Sequence, residues 1–184
     1  MNAKQFLKKY SKTEHNFERI YRHSKIVQAI AIRIAKRFEK KRKIKLNMEL
    51  IENGSLLHDL GVLVLGDKPY IQHGILGAEV LRKQNLYGAN QNLAEKYARV
   101  CERHIGVGIT KKEIIAKKLP LPKKDFIAQS WEEKIISYAD SWHSKSMLDK
   151  NGRKKEHLAE ILQELGKYGA DKVEKFLKWH KLFE

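Results

Sequence analysis

One cysteine, Cys101, stands alone in 184 residues, so no disulfide can tie the chain to itself. Only three prolines interrupt it, and Pro120 and Pro122 sit together, which leaves long helices open nearly everywhere else. No uncharged apolar run approaches the roughly 18 residues needed to span a bilayer. The basic N-terminus is followed by no hydrophobic signal segment. These absences predict an all-α protein with no membrane partner and a cytoplasmic location. The length suits a single domain over residues 1–184, able to bury about 70% of its unfolded surface without staples. A composition 42% apolar and 33% charged belongs to a chain that folds by itself.

Acidic residues are the next shortage: 22 Asp and Glu face 38 Lys and Arg, for a formal charge of +16. Such a field favours phosphorylated ligands and can support loose nucleic-acid binding. Yet 29 of the basic residues are Lys, mostly on predicted solvent faces, and the aromatic–basic interleaving of a base-stacking surface is missing. Nucleic acid is therefore not the favoured partner.

What is present is helical periodicity. Ile20, His23, Val27, Ile30, Ile34 and Phe38 follow three- and four-residue steps and predict a helix over residues 14–42, closed by the cations at 40–43. Asn47 reads as the next N-cap, with Leu46 and Ile51 as a hydrophobic staple and Gly61 as the stop, which puts His58 and Asp59 in the last turn. A turn-rich loop follows to residue 70, and Ile75, Leu76, Val80 and Leu81 resume a helix with His73 at its entrance. Asn92 with Glu95, Thr110 with Glu113, and Ser130 with Glu133 have capping-box spacing. The helices they predict carry His104 on one apolar stripe, and Asp140, His143 and Met147 on another. The metal-site core spans about 14–148. Beyond it, about 153–183 forms a C-terminal extension broken by Gly166 and Gly169.

His23, His58, Asp59, His73, His104 and Asp140 are all metal-ligand types, and several fall where a helix turns inward. Buried without partners, such groups cost several kcal/mol each. Singly, each has an ordinary reading as a core histidine or an ion-pair partner. Jointly they point to a metal centre, and nitrogen and carboxylate donors suit iron, manganese or zinc.

The segment SLLHDLG around His58, with the upstream His of YRHSKIVQAIAIRIA and the downstream Asp of IISYADSW, resembles the HD superfamily of metal-dependent phosphohydrolases. IQHGILGAEVL and CERHIGVGIT look like the two further histidines of members that hold two metals. The resemblance covers about residues 22–143. It extends to small archaeal and bacterial HD proteins, to symmetrical diadenosine-tetraphosphate hydrolases and, more distantly, to HD-GYP cyclic-dinucleotide phosphodiesterases.

The resemblance implies an HD-type helical bundle in which His23, His58, Asp59 and Asp140 hold one divalent ion and His73 and His104 a second, with Asp59 bridging. Two such ions against two carboxylates leave a positive centre that attracts phosphate and activates water. It thus implies hydrolysis of a phosphoester or phosphoanhydride of a nucleotide or dinucleotide. Alternatives are an HD-type diiron oxygenase and a non-catalytic basic module that binds nucleic acid.

One departure is visible. Many relatives carry Lys or Arg after the HD-x-G glycine, whereas this chain has Val62. Arg103 and Lys145 are candidates to replace that phosphate-binding cation, and His143 is a candidate to orient Asp140 from the next turn. Gly106 and Gly108 could admit phosphate to backbone amides, and Gly54 and Gly77 could permit close helix approach around the metals.

Overall fold

The computed structural model describes residues 2–83, 91–143 and 157–184. Its helices are α1 (Ala3–Tyr10), α2 (Glu14–Arg42), α3 (Met48–Leu57), α4 (Leu60–Leu63), α5 (His73–Lys83), α6 (Gln91–Arg103), α7 (Lys111–Ala116), α8 (Trp131–Ser141), α9 (His157–Gly166) and α10 (Ala170–Phe183). A 3-10 turn, Tyr70–Gln72, leads into α5. Among the described residues, extended pairing is confined to one isolated bridge between Ile109 and Phe126, so the all-α expectation holds. No helix among them is long and apolar enough to cross a membrane. Lys145 and Met147 lie outside the described residues.

Helix α2 is the spine. Thr13 caps it by accepting from the Asn16 amide, and it stops where Lys43 turns left-handed at φ 54°. Its buried stripe serves two cores. Phe17 and Ile20 pack with side chains of α1, α3, α4, α5 and α6, whereas Val27, Ile34 and Phe38 pack with α8, α9 and α10. His23 sits on the stripe between these groups. Helix α8 divides the same way: Ile136 joins the first core, and Ile135, Tyr138 and Ala139 join the second, with Asp140 next in sequence. Polar donors thus occupy the seam between two apolar clusters.

The C-terminal pair is tied to the spine at its far end. Arg37 bonds to the Phe183 carbonyl and pairs with Glu184 at 3.0 Å, and the Tyr138 hydroxyl is hydrogen-bonded to His180 Nδ1 at 2.8 Å. Gly169, at φ 148°, makes the break between α9 and α10 that its sequence position announces.

Three local expectations need correction. Gly61 does not stop α3: that helix ends at Leu57, and Gly61 lies within α4. A Cβ there would lie 1.7 Å from the His73 carbonyl oxygen, so its lack of a side chain serves backbone contact between α4 and α5. His58 and Asp59 consequently form the corner between two helices. Asp59 sits at φ −97°, ψ 13°, in the sparsely populated bridge region. Asn92 is not a cap, because Gln91 before it is already helical. His143 lies in the turn beyond α8, two residues past its end.

Candidate metal centre

The structure brings His23, His58, Asp59, His73, His104 and Asp140 to one place, from α2, the α3–α4 corner, the start of α5, the residue after α6, and α8. His58 is fully buried and Asp140 is the most accessible, with 23% of its side chain exposed. Asp59 is common to two sets of donors, and His58, His104 and Asp140 make a third set that links them. Asp59 Oδ2 faces His23 Nε2 at 3.6 Å and His58 Nε2 at 3.9 Å, and Asp140 Oδ1 closes this group at 3.1 and 3.4 Å from the same nitrogens. Asp59 Oδ1 faces the other way, 3.4 Å from His73 Nε2 and 3.5 Å from His104 Nε2.

Three rings are held by the backbone. His58, His73 and His104 bond through Nδ1 to the carbonyls of Ser55, Tyr70 and Cys101, each three residues earlier, at 2.7, 2.7 and 2.8 Å. A carbonyl only accepts, so the proton sits on Nδ1 and each neutral ring presents the Nε2 lone pair to the centre. Those lone pairs converge: His73 and His104 Nε2 lie 3.1 Å apart, and His23 and His58 Nε2 lie 3.2 Å apart. Lone pairs at that distance repel unless a proton or cation lies between them.

Metal–ligand bonds of about 2.0–2.2 Å set neighbouring donors about 2.8–3.6 Å apart in octahedral or tetrahedral shells. Most of the observed separations fall in that interval, so the donor set fits a divalent ion. His23 differs from the other three rings. Its Nδ1 is buried with no hydrogen-bond partner, and its ring stacks on His143 at 5.2 Å.

In the absence of a cation, protons take its place. Burial by itself would lower the His58 pKa, but the Asp59 and Asp140 carboxylates outweigh burial and hold it at about 9. Burial would likewise raise Asp59, yet His58 and His104 hold it well below the usual carboxylate range. His73 goes the other way, to about 4, through burial and then the neighbouring His104.

The His58 value sets a sign. A folded pKa near 9 against an ordinary 6.5 means that this ring's contribution to metal-free stability is complete below about pH 6.5 and is lost as pH rises towards 9. A bound cation must displace that proton, so metal affinity rises over the same interval. Melting measured with and without manganese at pH 6.5, 7.5 and 8.5 will show an ion-dependent increase in Tm that widens with pH. A constant or shrinking increase would contradict the assignment.

The remaining sequence candidates are placed less favourably. Arg103 is paired within the fold: its Nη1 lies 3.2 and 3.1 Å from the two Glu133 carboxylate oxygens. His143 donates its backbone amide to the Asp140 carbonyl at 3.0 Å, and its ring packs on His23. Gly77 does provide close approach, since a Cβ there would lie 2.9 Å from the Gly61 amide nitrogen. Gly54 does so against Ile136 Cδ1 at 3.0 Å.

Sequence reading missed Tyr70, which anchors His73 through its carbonyl and packs its ring against that imidazole at 4.6 Å. The three-residue spacing from His73 was the available signal. It also missed Lys172 and Glu113, which share the wall of the adjoining cavity.

Comparison with known proteins agrees with this geometry. The HD-domain family model matches residues 20–145. A protein of Picrophilus torridus named tRNA (cytidine(56)-2'-O)-methyltransferase is 35% identical over 157 residues, covering 82% of this chain and 41% of its own length. A protein of the same name from Thermoplasma volcanium is 30% identical over 161 residues, covering 86% of this chain and 40% of its own. An uncharacterised protein of Methanocaldococcus jannaschii is 38% identical over 124 residues, covering 67% of this chain and 66% of its own. The chain therefore spans about two fifths of the two methyltransferase-named relatives. No solved structure matches. With the family model covering the whole stretch from His23 to Asp140 and the six donors gathered in one place, the chain belongs to the HD-domain family, of metal-dependent hydrolase type.

Proposed function

We propose that this protein is a metal-dependent phosphohydrolase that cleaves a phosphoester or phosphoanhydride of a nucleotide-like substrate. Two divalent ions of iron, manganese or zinc would be held, one by His23, His58, Asp140 and Asp59 Oδ2, the other by His73, His104 and Asp59 Oδ1. The observation that carries the reading is the division of the Asp59 carboxylate, whose two oxygens face separate pairs of imidazoles. When bound, such ions lower the pKa of water towards neutrality and polarise phosphoryl oxygens.

The chain's own groups supply the rest. A cavity of about 680 Å³ is lined by His73, Asp140 and Tyr70, giving substrate a path to the centre from the side where Asp140 is accessible. The Tyr70 phenol is pushed up to about 12, by burial and then by the Asp59 and Asp140 charges, so it keeps its proton. The full burial of His58 keeps bulk water from the inner side of the cluster. A chain charge of +16 draws phosphate esters towards the protein. The methyl transfer named for the two longer relatives is not proposed for this chain.

Metal analysis of anaerobically purified protein, followed by phosphate release from a nucleotide panel, tests the reading. The wild type is expected to carry close to two ions. His104→Ala is expected to carry close to one and to lose most of its turnover, because Asp59 Oδ1 and His73 alone make a weak site. Full occupancy and activity in that variant would remove the second ion from the reading. Oxygen-dependent substrate loss without phosphate release would replace it with oxygenase chemistry.

A further inference from the structure

Helices α9 and α10 lie downstream of Asp140, the last of the six donors, yet their segment supplies Ile161, Leu165, Tyr168 and Lys172 to the wall of the cavity beside the metal centre. The same cavity is walled by the loop from Ile105 to Ile109, which runs from the donor His104 to the Thr110 cap of α7. The loop is tightly turned. Gly106 and Gly108 have positive φ, 54° and 97°, the Gly108 amide donates to the Ile105 carbonyl at 3.0 Å, and Ile109 pairs with Phe126.

One side chain from α10 holds this loop. Lys172 Nζ donates to the Gly108 carbonyl at 2.8 Å and to Glu113 Oε2 at 2.7 Å, and the same Glu113 oxygen accepts from the Thr110 amide and hydroxyl, each at 2.8 Å. The Lys172 side chain is only 8% exposed. Burial would raise the Glu113 carboxyl, yet Lys172 and then Thr110 hold it below its ordinary range, so it stays ionised at neutral pH. A buried ion pair is weak evidence for stability, because desolvation of the two charges offsets much of their attraction. What this ammonium does fix is position, since it is bonded to the chain on either side of Thr110.

His104 is held independently of the loop. Its ring bonds to the Cys101 carbonyl of α6 at 2.8 Å, so a shift of residues 105–109 reaches the cavity wall before it reaches the donor. We infer that Lys172 is a positioning residue for substrate: by holding Gly108 and Glu113 it sets the wall against which the organic part of the phosphate ester rests, and it takes no part in holding the metal ions. The role in turnover rests on the proposed hydrolase reading; the dependence of the loop on Lys172 does not.

Lys172→Met, alone and combined with Glu113→Gln, tests this on manganese-loaded protein. Amide hydrogen exchange, metal content and calorimetry with two inert probes, methylphosphonate and benzylphosphonate, need no turnover; kcat and KM for a nucleoside monophosphate complete the set. In the wild type benzylphosphonate is expected to bind the tighter of the two. In Lys172→Met, exchange should rise across residues 105–113 while manganese content stays at the wild-type level. Benzylphosphonate binding should weaken about tenfold with methylphosphonate within about twofold, and KM should rise about tenfold with kcat nearly unchanged. Adding Glu113→Gln removes the carboxylate left buried and unpaired, so Tm should recover while KM stays high, because Gly108 still lacks its donor. The double variant carries the same comparison where the single one melts early. Loss of manganese from the double variant, equal weakening of both probes, a fall in kcat alone, or no benzyl preference in the wild type overturns the inference. Selective loss of benzylphosphonate binding, with no phosphate release from any ester in the wild type, leaves the positioning role standing and defeats the hydrolase reading. Wild-type turnover with an unchanged KM in the double variant does the reverse.

Discussion

Asp59→Ala is expected to abolish the proposed phosphate release and to leave neither donor group able to retain an ion. The carboxylate is common to both groups, with Oδ2 towards His23 and His58 and Oδ1 towards His73 and His104, so one substitution removes a donor from each. Removing an outer hydrogen-bond partner of a ligand costs roughly 10–100-fold in metal affinity or activity, and loss of a shared ligand exceeds that. The electrostatics change together with the ligation. Without the Asp59 charge the largest upward influence on His58 disappears, and its burial then favours the neutral ring. Inductively coupled plasma analysis and phosphate release on the purified variant check the outcome. Wild-type turnover in Asp59→Ala would defeat the mechanism, and retention of both ions would show that the carboxylate does not bridge them.

Gly61→Ala is expected to be the most damaging conservative change near the centre. The added methyl would lie 1.7 Å from the His73 carbonyl oxygen and 2.6 Å from its carbon, both backbone atoms that no side-chain rotation can move. Gly77 narrows the same crossing, so α4 and α5 must separate to admit the methyl. Overpacking commonly costs about 1–3 kcal/mol and more where backbone must shift. For a chain of this size that lowers Tm by roughly 2–12 °C. The separation also carries His73 away from Asp59, so the second ion should be lost even in molecules that remain folded. Thermal melting and metal content on the same sample check both parts, and an unchanged Tm would show that the crossing is looser than drawn.

These two residues show how unevenly the structure is written in the sequence. The helix over residues 14–42 was legible because its apolar residues repeat with helical period and the cations at 40–43 mark its end. The short helix after Thr110 was legible from a capping box that forms as its spacing implies. The six donors were legible through their residue types and order, and the structure gathers them. The corner at His58 and Asp59 was not, because a glycine that ends a helix and one that admits a neighbouring backbone look alike along one dimension.

Charge was misleading in a similar way. Arg103 follows an apolar stripe close to His104 and offers a free cation on paper, but its partner Glu133 lies 30 positions away. The lining of the cavity was equally hidden, since Glu113, Asp140, Glu160 and Glu164 come to it from three separate helices.

The carbonyl anchors on His58, His73 and His104 have one more consequence. Ser55, Tyr70 and Cys101 steer these rings through the main chain whether or not the centre is loaded. Bonds of this kind form with the helices themselves, so folding rather than ion binding is expected to supply most of the ordering of the socket. Chelation should then yield an empty but helical protein that recharges on adding manganese, unlike small zinc modules, which come apart when stripped.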